Sequence, residues 1–377
     1  MKTTRRSRKF KHRQHGLSLV ELMIGLTIGL VIVGATSALF LDVSRNYRMN
    51  SSIARMQENA RFSFDKIGRS SRSAGYFGCA NQSINNVENT LLDKSSYLYN
   101  FTTPIQGFEG SSDSWTPVLD NSFSTMKAYD EFSPTSNIET LLSIQPLPGT
   151  DVLTLRGLPD ENASPIVKTQ PNGANLTVTD TTAVAPGDIV MIVKCNPKPL
   201  AAIFQVTGVQ PDNNQNGFTV ILHQKNQPDM VPGNDDQKID SSLVGGELMQ
   251  IETSTYFIGN NPYTNRPGLF FWNGKGPAIQ IASNVENMQI LYGVDDGLAL
   301  GRRAGDRIVD RYLPANLASS DWTQIRSIQI EITLISEDNN LATAETKDTD
   351  NDGVPDVNDG HLRYVASSTF ALRNRLP

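Results

Sequence analysis

The sequence is poor in the residues that most enzyme sites require. It has two Cys and four His among its 377 residues, and it contains no H-E-x-x-H, C-x-x-C or G-x-S-x-G pattern. Gly274-Lys275-Gly276 lacks the spacing and the Ser or Thr of a phosphate-binding loop. Two Cys also exclude a disulfide-dense scaffold. The sequence therefore predicts a protein that is not an enzyme, and only a pair of carboxylates brought together by the fold is left open as a hydrolytic site.

Basic charge is scarce beyond the first residues. Seven of the 33 Lys and Arg residues lie in residues 1–16, which hold no acidic residue. The other 361 residues therefore have 26 basic and 39 acidic side chains, a formal net charge of −13. Because nucleic-acid-binding domains carry a basic surface, no nucleic-acid partner is expected. With 38% hydrophobic residues the chain can bury a core, and its length suggests about two domains.

A long uncharged run follows the basic segment. Leu22 to Leu41 contains no charged residue, and as a helix it matches the roughly 30 Å hydrocarbon thickness of a bilayer. The basic excess on its N-terminal side predicts a cytoplasmic N-terminus and an acidic remainder across the membrane. A cleaved secretory signal is the alternative. Against it, the run is longer than the apolar part of most such signals, and Glu21 in its first turn is costly without a partner.

The segment Gly16-Leu17-Ser18-Leu19-Val20-Glu21 resembles the class III signal of type IV prepilins. The resemblance implies that prepilin peptidase cuts after Gly16, that Leu17 becomes the methylated N-terminus, and that Glu21 is the glutamate at position five of the mature chain. Glu21 is then expected to pair with the terminal ammonium of a neighbouring subunit. The mature protein would be a single-pass protein of a bacterial inner membrane, with a periplasmic head, that later enters a pilus. A plain membrane anchor without processing is the alternative.

Residues 42–75 are predicted to continue the helix as an amphipathic half. No Pro occurs before Pro104, and apolar residues recur at spacings of three and four. These residues are Ile53, Met56, Ala60, Phe64 and Ile67. Such a stripe indicates a helix face that packs on the rest of the protein.

The remainder, residues 76–377, predicts a β-rich head. Residues 80–150 indicate loops with weak strands, and two strand-rich blocks follow at 151–223 and 247–377. The polar segment 224–246 between them is predicted to be a long exposed loop. In the second block, Ile328, Ile330, Ile332 and Leu334 alternate with polar residues, as in a half-buried antiparallel strand.

Several stretches of this head look like the PilW family of minor pilins. They are AGYFGC (74–79), GDIVMIVK (187–194), VENMQILYGVD (285–295) and LRNRL (372–376). The resemblance implies an α+β, pilin-like fold in which a long N-terminal helix packs on a large antiparallel β-rich head. It also implies a minor pilin that helps to initiate type IV pilus assembly and sits at or near the tip, among other minor pilins, the major pilin and a candidate tip adhesin. A J-like pseudopilin of type II secretion and an adhesin-like binding module are the alternatives.

An acidic segment near the C-terminus matches a twelve-residue calcium loop. Positions one, three, five, seven, nine and twelve are Asp348, Asp350, Asp352, Val354, Asp356 and Asp359. Five carboxylates this close repel one another unless a cation lies among them, so calcium is the expected cofactor. A solvated acidic turn is the alternative. A second fragment, Asp212-x-Asn214-x-Asn216-Gly217, lacks the later ligands and predicts a plain hairpin turn.

The two Cys residues both lie in the part predicted to be exported. Cys79 and Cys195 would meet in an oxidising compartment, which favours a disulfide between them. Two separately buried thiols are the alternative. A bridge would tie the end of the helix to the β-rich head.

Overall fold

A computed structural model describes the chain at residues 18–79, 87–128, 141–159, 163–169, 175–179, 184–212, 217–225, 227–236, 239, 241–298, 303–318, 321–342 and 358–375. Its contacts divide the chain into two units, Met1–Ile53 and Ala54–Pro377. The first unit contains the N-terminal part of a 55-residue helix, α1 (Leu19–Ser73). The second contains the C-terminal part of that helix, a four-residue helix α2 (Ala315–Ala318), and the strands.

Twenty strands are described in the second unit. In chain order they are β1 (Val87–Asn89), β2 (Ile105–Gly110), β3 (Trp115–Thr116), β4 (Lys127–Ala128), β5 (Leu142–Ser143), β6 (Val152–Gly157), β7 (Ala163–Thr169), β8 (Asn175–Thr179), β9 (Ile189–Lys194), β10 (Leu200–Gln205), β11 (Gly208–Pro211), β12 (Phe218–Leu222), β13 (Glu247–Gln250), β14 (Glu252–Asn260), β15 (Pro267–Trp272), β16 (Ile279–Ser283), β17 (Val285–Val294), β18 (Arg311–Leu313), β19 (Ile325–Ile335) and β20 (Arg363–Ala371).

These strands form three large sheets and one small one. The first has the order β1-β10-β9-β13-β7-β8-β12-β11, the second β16-β15-β14-β6-β2-β3, and the third β18-β17-β19-β20. Strands β4 and β5 form a two-stranded sheet. Apart from the parallel pair β1–β10, the paired strands are antiparallel. The predicted α+β fold with a long helix and an antiparallel β-rich head is therefore confirmed.

The first sheet encloses a core of its own. Apolar side chains from both ends of the sheet, such as Val178 on β8 and Phe204 on β10, belong to one buried cluster. Strands β10 and β11 are separated by only two residues, and Thr207 N–H donates to Leu222 O of β12 at 2.8 Å. The sheet thus curls so that its two halves cover each other.

The segment between the two strand-rich blocks differs from its prediction. It has no strand among its described residues, but it is not exposed throughout, because Asn234 and Ile239 are buried. The Asn234 amide accepts from Gln205 N–H at 2.7 Å and donates to Gln205 O at 2.8 Å. A buried side chain with two partners on β10 holds this polar segment against the sheet, and composition alone could not reveal it.

The amphipathic half of α1 packs on the head as its apolar stripe predicts. Met56, Ala60 and Ile67 are buried, and Phe64 lies with its ring centroid 6.1 Å from that of Phe370 on β20. Gly68 permits a close approach, since a Cβ at this position would lie 2.8 Å from the Phe370 ring. The helix is therefore fixed directly against the third sheet.

Candidate assembly site

The N-terminal part of α1 presents its apolar side chains outward. Every residue from Leu19 to Val43 is exposed, and large side chains such as Leu30 and Phe40 are more than 70% accessible. Within the described residues this is the one helix long and apolar enough to cross a membrane. The hydroxyls of Thr27 and Thr36 donate to backbone oxygens one turn earlier, at 2.9 Å each, so they need no water. Such a surface is suited to lipid or to the helices of other subunits.

Glu21 closes the first turn of this helix. Its Oε2 accepts from Ser18 N–H at 3.2 Å, and Ser18 Oγ accepts from Val20 N–H at 3.3 Å. This arrangement is close to a capping box, and a carboxylate is favoured at a helix N-terminus by the helix dipole. The S-x-x-E spacing of Ser18 and Glu21 is the sequence signal for this role. The processing residues Gly16 and Leu17 lie outside the described residues.

The C-terminal end of α1 is fastened by several segments of the head. Ser73 Oγ donates to Leu158 O at 2.8 Å, and the Asn374 side chain donates to Arg72 O and Ala74 O at 3.1 Å each. Gly157 at the end of β6 fits only because it has no side chain, since a Cβ there would lie 2.3 Å from Ser73 O. The helix end is thus capped by side chains and backbone from distant parts of the chain.

The predicted disulfide is confirmed close to the C-terminal end of α1. Cys79 and Cys195 are bonded, with their Cα atoms 5.5 Å apart. Cys79 lies six residues after the end of α1, and Cys195 directly follows β9. The bond therefore links the chain that leaves the helix to the first sheet, as expected from the sequence.

A buried arginine that no sequence pattern indicates lies close to the C-terminal end of α1. Arg156 on β6 is 1% exposed, and its guanidinium donates to Thr103 O at 2.7 Å and to Tyr97 O at 2.6 Å. Burial lowers its pKa to about 10, while the nearby Tyr97 favours the charged form. Arg156 O also accepts from Gly75 N–H at 2.9 Å. Arg156 thus links two backbone oxygens of the 97–103 segment to the chain that follows the helix.

A buried carboxylate joins the second and third sheets. Asp151, 1% exposed, accepts from Gly110 N–H of β2 at 2.9 Å and from Ile290 N–H of β17 at 2.7 Å. Burial and, after it, the charge of Glu109 raise its pKa to about 7, although the two N–H donors act in the opposite direction. Burial also raises the pKa of Glu109, which accepts from Ala315 N–H at 3.0 Å. Sequence patterns cannot identify such a residue, because an Asp before a strand is usually a turn residue.

Of the predicted calcium ligands, the structure places only Asp359. Asp348, Asp350, Asp352, Val354 and Asp356 lie outside the described residues. Asp359 forms a two-point ion pair with Arg363, with oxygen–nitrogen distances of 2.8 and 2.7 Å, and Arg363 also binds Glu286. Hydrogen bonds from Arg363 hold the pKa of Asp359 well below its usual range. Among the described residues, no three His, Cys, Asp or Glu side chains are grouped to hold a metal.

Two segments of the chain, one near each end, match known protein families. Residues 11–37 match the prokaryotic N-terminal methylation motif, and residues 255–374 match PilW, the type IV pilus-assembly protein W. The chain therefore carries a PilW domain together with a prepilin methylation motif. The resemblance noted from the sequence is thereby confirmed. No curated protein and no solved structure matches the chain.

The matched PilW region supplies several of the contacts that hold α1. Besides Phe370 and Asn374, it supplies Tyr256, whose hydroxyl lies 2.7 Å from Ser70 Oγ, and Ser283, whose carbonyl accepts from the Asn59 side chain at 3.0 Å. It also supplies Phe271, whose ring lies under Lys66 Nζ at 5.0 Å. By contrast, all eight strands of the first sheet lie outside residues 255–374. The matched region therefore includes part of the support of α1, which residues 157 and 158 on β6 and just after it complete.

Proposed function

We propose that this chain is a minor pilin that takes part in initiating assembly of a type IV pilus and sits at or near its tip. The observation that carries the proposal is an exposed apolar helix behind a methylation motif, attached to a head whose PilW region supports that helix. A helix with this surface is stable only among lipids or other apolar helices. Its work is structural, and the partners are other pilins and prepilin peptidase. The PilW match favours a pilus over a type II secretion system.

The proposed topology follows from the charge asymmetry. The basic leader stays in the cytoplasm, α1 crosses the inner membrane, and the head lies in the periplasm. Cleavage after Gly16 removes the charged leader and leaves the apolar helix in place. The new ammonium at Leu17 is then available to a carboxylate of a neighbouring subunit.

Glu21 is proposed to supply that carboxylate. One of its oxygens accepts from Ser18 N–H at 3.2 Å, and the other accepts no hydrogen bond from the described residues. The same side chain can therefore cap its own helix and receive a cation from outside. An ammonium within a low-dielectric helix bundle requires such a partner, because an unpaired charge there is costly.

Three variants separate the charge of Glu21 from its capping role. Glu21→Gln keeps an oxygen that can accept from Ser18 N–H but removes the charge, whereas Glu21→Ala removes both. The control is Asp42→Asn, which removes an exposed carboxylate from the same helix beyond the uncharged run. We expect both Glu21 variants to fall at least tenfold in incorporation into pili, measured by immunoblot of sheared filaments, while the control assembles normally.

Mass spectrometry of the N-terminus completes the test. A chain that begins at methylated Leu17 is expected. An intact Met1 or a cut beyond Leu41 would contradict the proposed function. If Glu21→Gln assembled normally and Glu21→Ala did not, the residue would act only as a helix cap.

The proposal also includes calcium in the acidic loop 348–359. It is supported by the ligand spacing in the sequence and by the oxygen chemistry that calcium prefers. Arg363 and the strand β20 that it begins would then lie directly beside the loop. Because Asp359 already binds Arg363 through both oxygens, calcium would have to share this carboxylate. The role proposed for the ion is to stiffen a loop of the head.

A further inference from the structure

The three large sheets have six edge strands, and one of these is much longer than the other five. The edge strands are β1 and β11 in the first sheet, β16 and β3 in the second, and β18 and β20 in the third. Five of them are two to five residues long, and β11 ends in Pro211. Short strands and prolines are devices by which proteins prevent unwanted pairing at sheet edges. Strand β20 has nine residues.

Strand β20 also lacks the other protective devices. It pairs with β19 through nine successive residues, Arg363 to Ala371, without a bulge. It contains no Pro and no Lys, and its only charged residue is Arg363 at the start. The Arg363 side chain is 7% exposed and is held by Glu286 and Asp359, so it does not guard the edge. A long, regular, uncharged edge of this kind favours the addition of another strand.

The hydrogen-bond phase shows which groups face outward. Leu372 N–H donates to Arg326 O at 2.9 Å, and Ser336 N–H donates to Leu362 O at 2.8 Å. In an antiparallel pair, residues whose backbone groups bond to the partner strand alternate with residues whose groups point away. Since Leu372 and Leu362 bond to β19 or its flanking residues, the backbone groups of the even-numbered residues of β20 face β19. The backbone groups of Val365, Ser367 and Thr369 therefore point away from the sheet. Among the described residues, no backbone group hydrogen-bonds to them.

We propose that the free edge of β20 receives an extended segment of a neighbouring pilin-type subunit, which adds as a further strand. The inference rests on the proposed function. A row of alternating N–H and C=O groups is complementary to an extended backbone, which supplies the same groups in register. The edge adjoins the assembly helix, because Phe370 of β20 packs against Gly68 and Phe64 of α1. It also lies within the matched PilW region.

A second copy of this chain fits the edge less well. Antiparallel pairing of two identical β20 strands creates a twofold axis, which reverses the direction of everything lying along the sheet. The part of α1 that packs on β20, residues 54–73, would then run in opposite directions in the two copies, whereas both copies would enter the membrane from the same side. The occupant is therefore assigned to a different pilin-type chain.

The test compares two substitutions at one position. Ser367→Pro removes an outward N–H without removing a bond to β19, whereas Ser367→Thr keeps that N–H. Each full-length variant is mixed in detergent with each of the other prepilin-type proteins of the same assembly system, purified singly with a tag. We expect Ser367→Pro to weaken the complex at least tenfold, about 1.4 kcal/mol, and Ser367→Thr to bind like the wild type. Equal binding by Ser367→Pro, or equal loss in both variants, overturns strand addition.

Amide hydrogen exchange on the wild-type chain gives a second readout, independent of whether the proline variant folds. On complex formation we expect slower exchange at Val365, Ser367 and Thr369, and little change at Ala366 and Ser368, whose N–H groups already bond to β19. No alternation, or no protection at all, overturns the proposal. If the wild type binds none of the prepilins, the proposed function itself fails. Self-association through β20 would assign the edge to a second copy and contradict the partner named here.

Discussion

Proton binding at Asp151 is expected to control the stability of the head. The carboxylate is 1% exposed and joins Gly110 N–H on one sheet to Ile290 N–H on another. The groups that face it are Glu109 on β2 and the buried Tyr292 on β17, whose phenol pKa is raised well above its usual range by burial and then by Asp151 and Glu109. None of these neighbours is cationic. The two N–H donors therefore favour ionisation of Asp151, whereas burial and the nearby Glu109 oppose it.

The sign and size of the effect follow from the pKa of Asp151. Burial raises it from 3.8 to about 7, so the folded head holds this proton over a pH range in which the unfolded chain has lost it. Its contribution to stability is complete below about pH 4 and is lost as the pH rises toward 7. A difference of about three pH units, at about 1.4 kcal/mol each, gives an upper value of roughly 4 kcal/mol.

The assay is denaturant unfolding of the full mature chain in detergent between pH 4.5 and 7.5. For the wild type we expect the free energy of unfolding to decrease across this range. Asp151→Asn resembles the protonated form and should flatten the dependence, although it lowers stability by a constant amount because the amide repels one N–H donor. The control is Asp359→Asn, because the pKa of Asp359 is lowered and its contribution is lost only in more acidic solution. Parallel curves for the wild type and Asp151→Asn would refute the reasoning.

Two further predictions concern the disulfide and the acidic loop. Cys79 and Cys195 close a loop with a sequence separation of 116. In the chain-entropy model, replacing both by Ser should lower the free energy of unfolding by up to about 5 kcal/mol. A denaturant midpoint equal to that of the oxidised wild type would contradict this prediction. Chelation of calcium should lower the thermal midpoint of the wild type by several degrees, and Asp350→Asn should abolish this response. Asp212→Asn, in the turn between β11 and β12, is the matched control and should respond like the wild type. An unchanged wild-type midpoint with chelator present would count against calcium.

The parts of the fold that could be predicted are those with a repeating pattern. The uncharged run, the stripe Met56-Ala60-Phe64-Ile67 and the alternating residues of β19 each repeat with the period of their secondary structure, so the helix and this strand were identified. Strand β7 has no such pattern, because it contains Pro165 and Lys168 and only Ile166 among its residues is buried. Its pairing with β8 and β13 is decided by neighbours that are distant in sequence.

The buried polar residues could not be predicted for a different reason. Arg156, Asp151 and Asn234 are all types that usually lie at the surface, and each is buried here because several backbone groups converge on it. That convergence depends on the packing of separate sheets and loops. The capping role of Glu21, by contrast, was present in the S-x-x-E spacing and could have been recognised.

The PilW match includes residues that hold α1 against the head. A pilin whose helix is held by other subunits and whose head makes separate contacts must transmit any load through the joint between them. Asn374, Phe370 and Tyr256 hold the helix within this joint, and all three belong to the matched region. The first sheet makes its core from its own strands and is tied to the helix end by the Cys79–Cys195 bond. The matched contacts therefore join α1 to the second and third sheets, while a covalent bond joins the first sheet to the chain that follows α1.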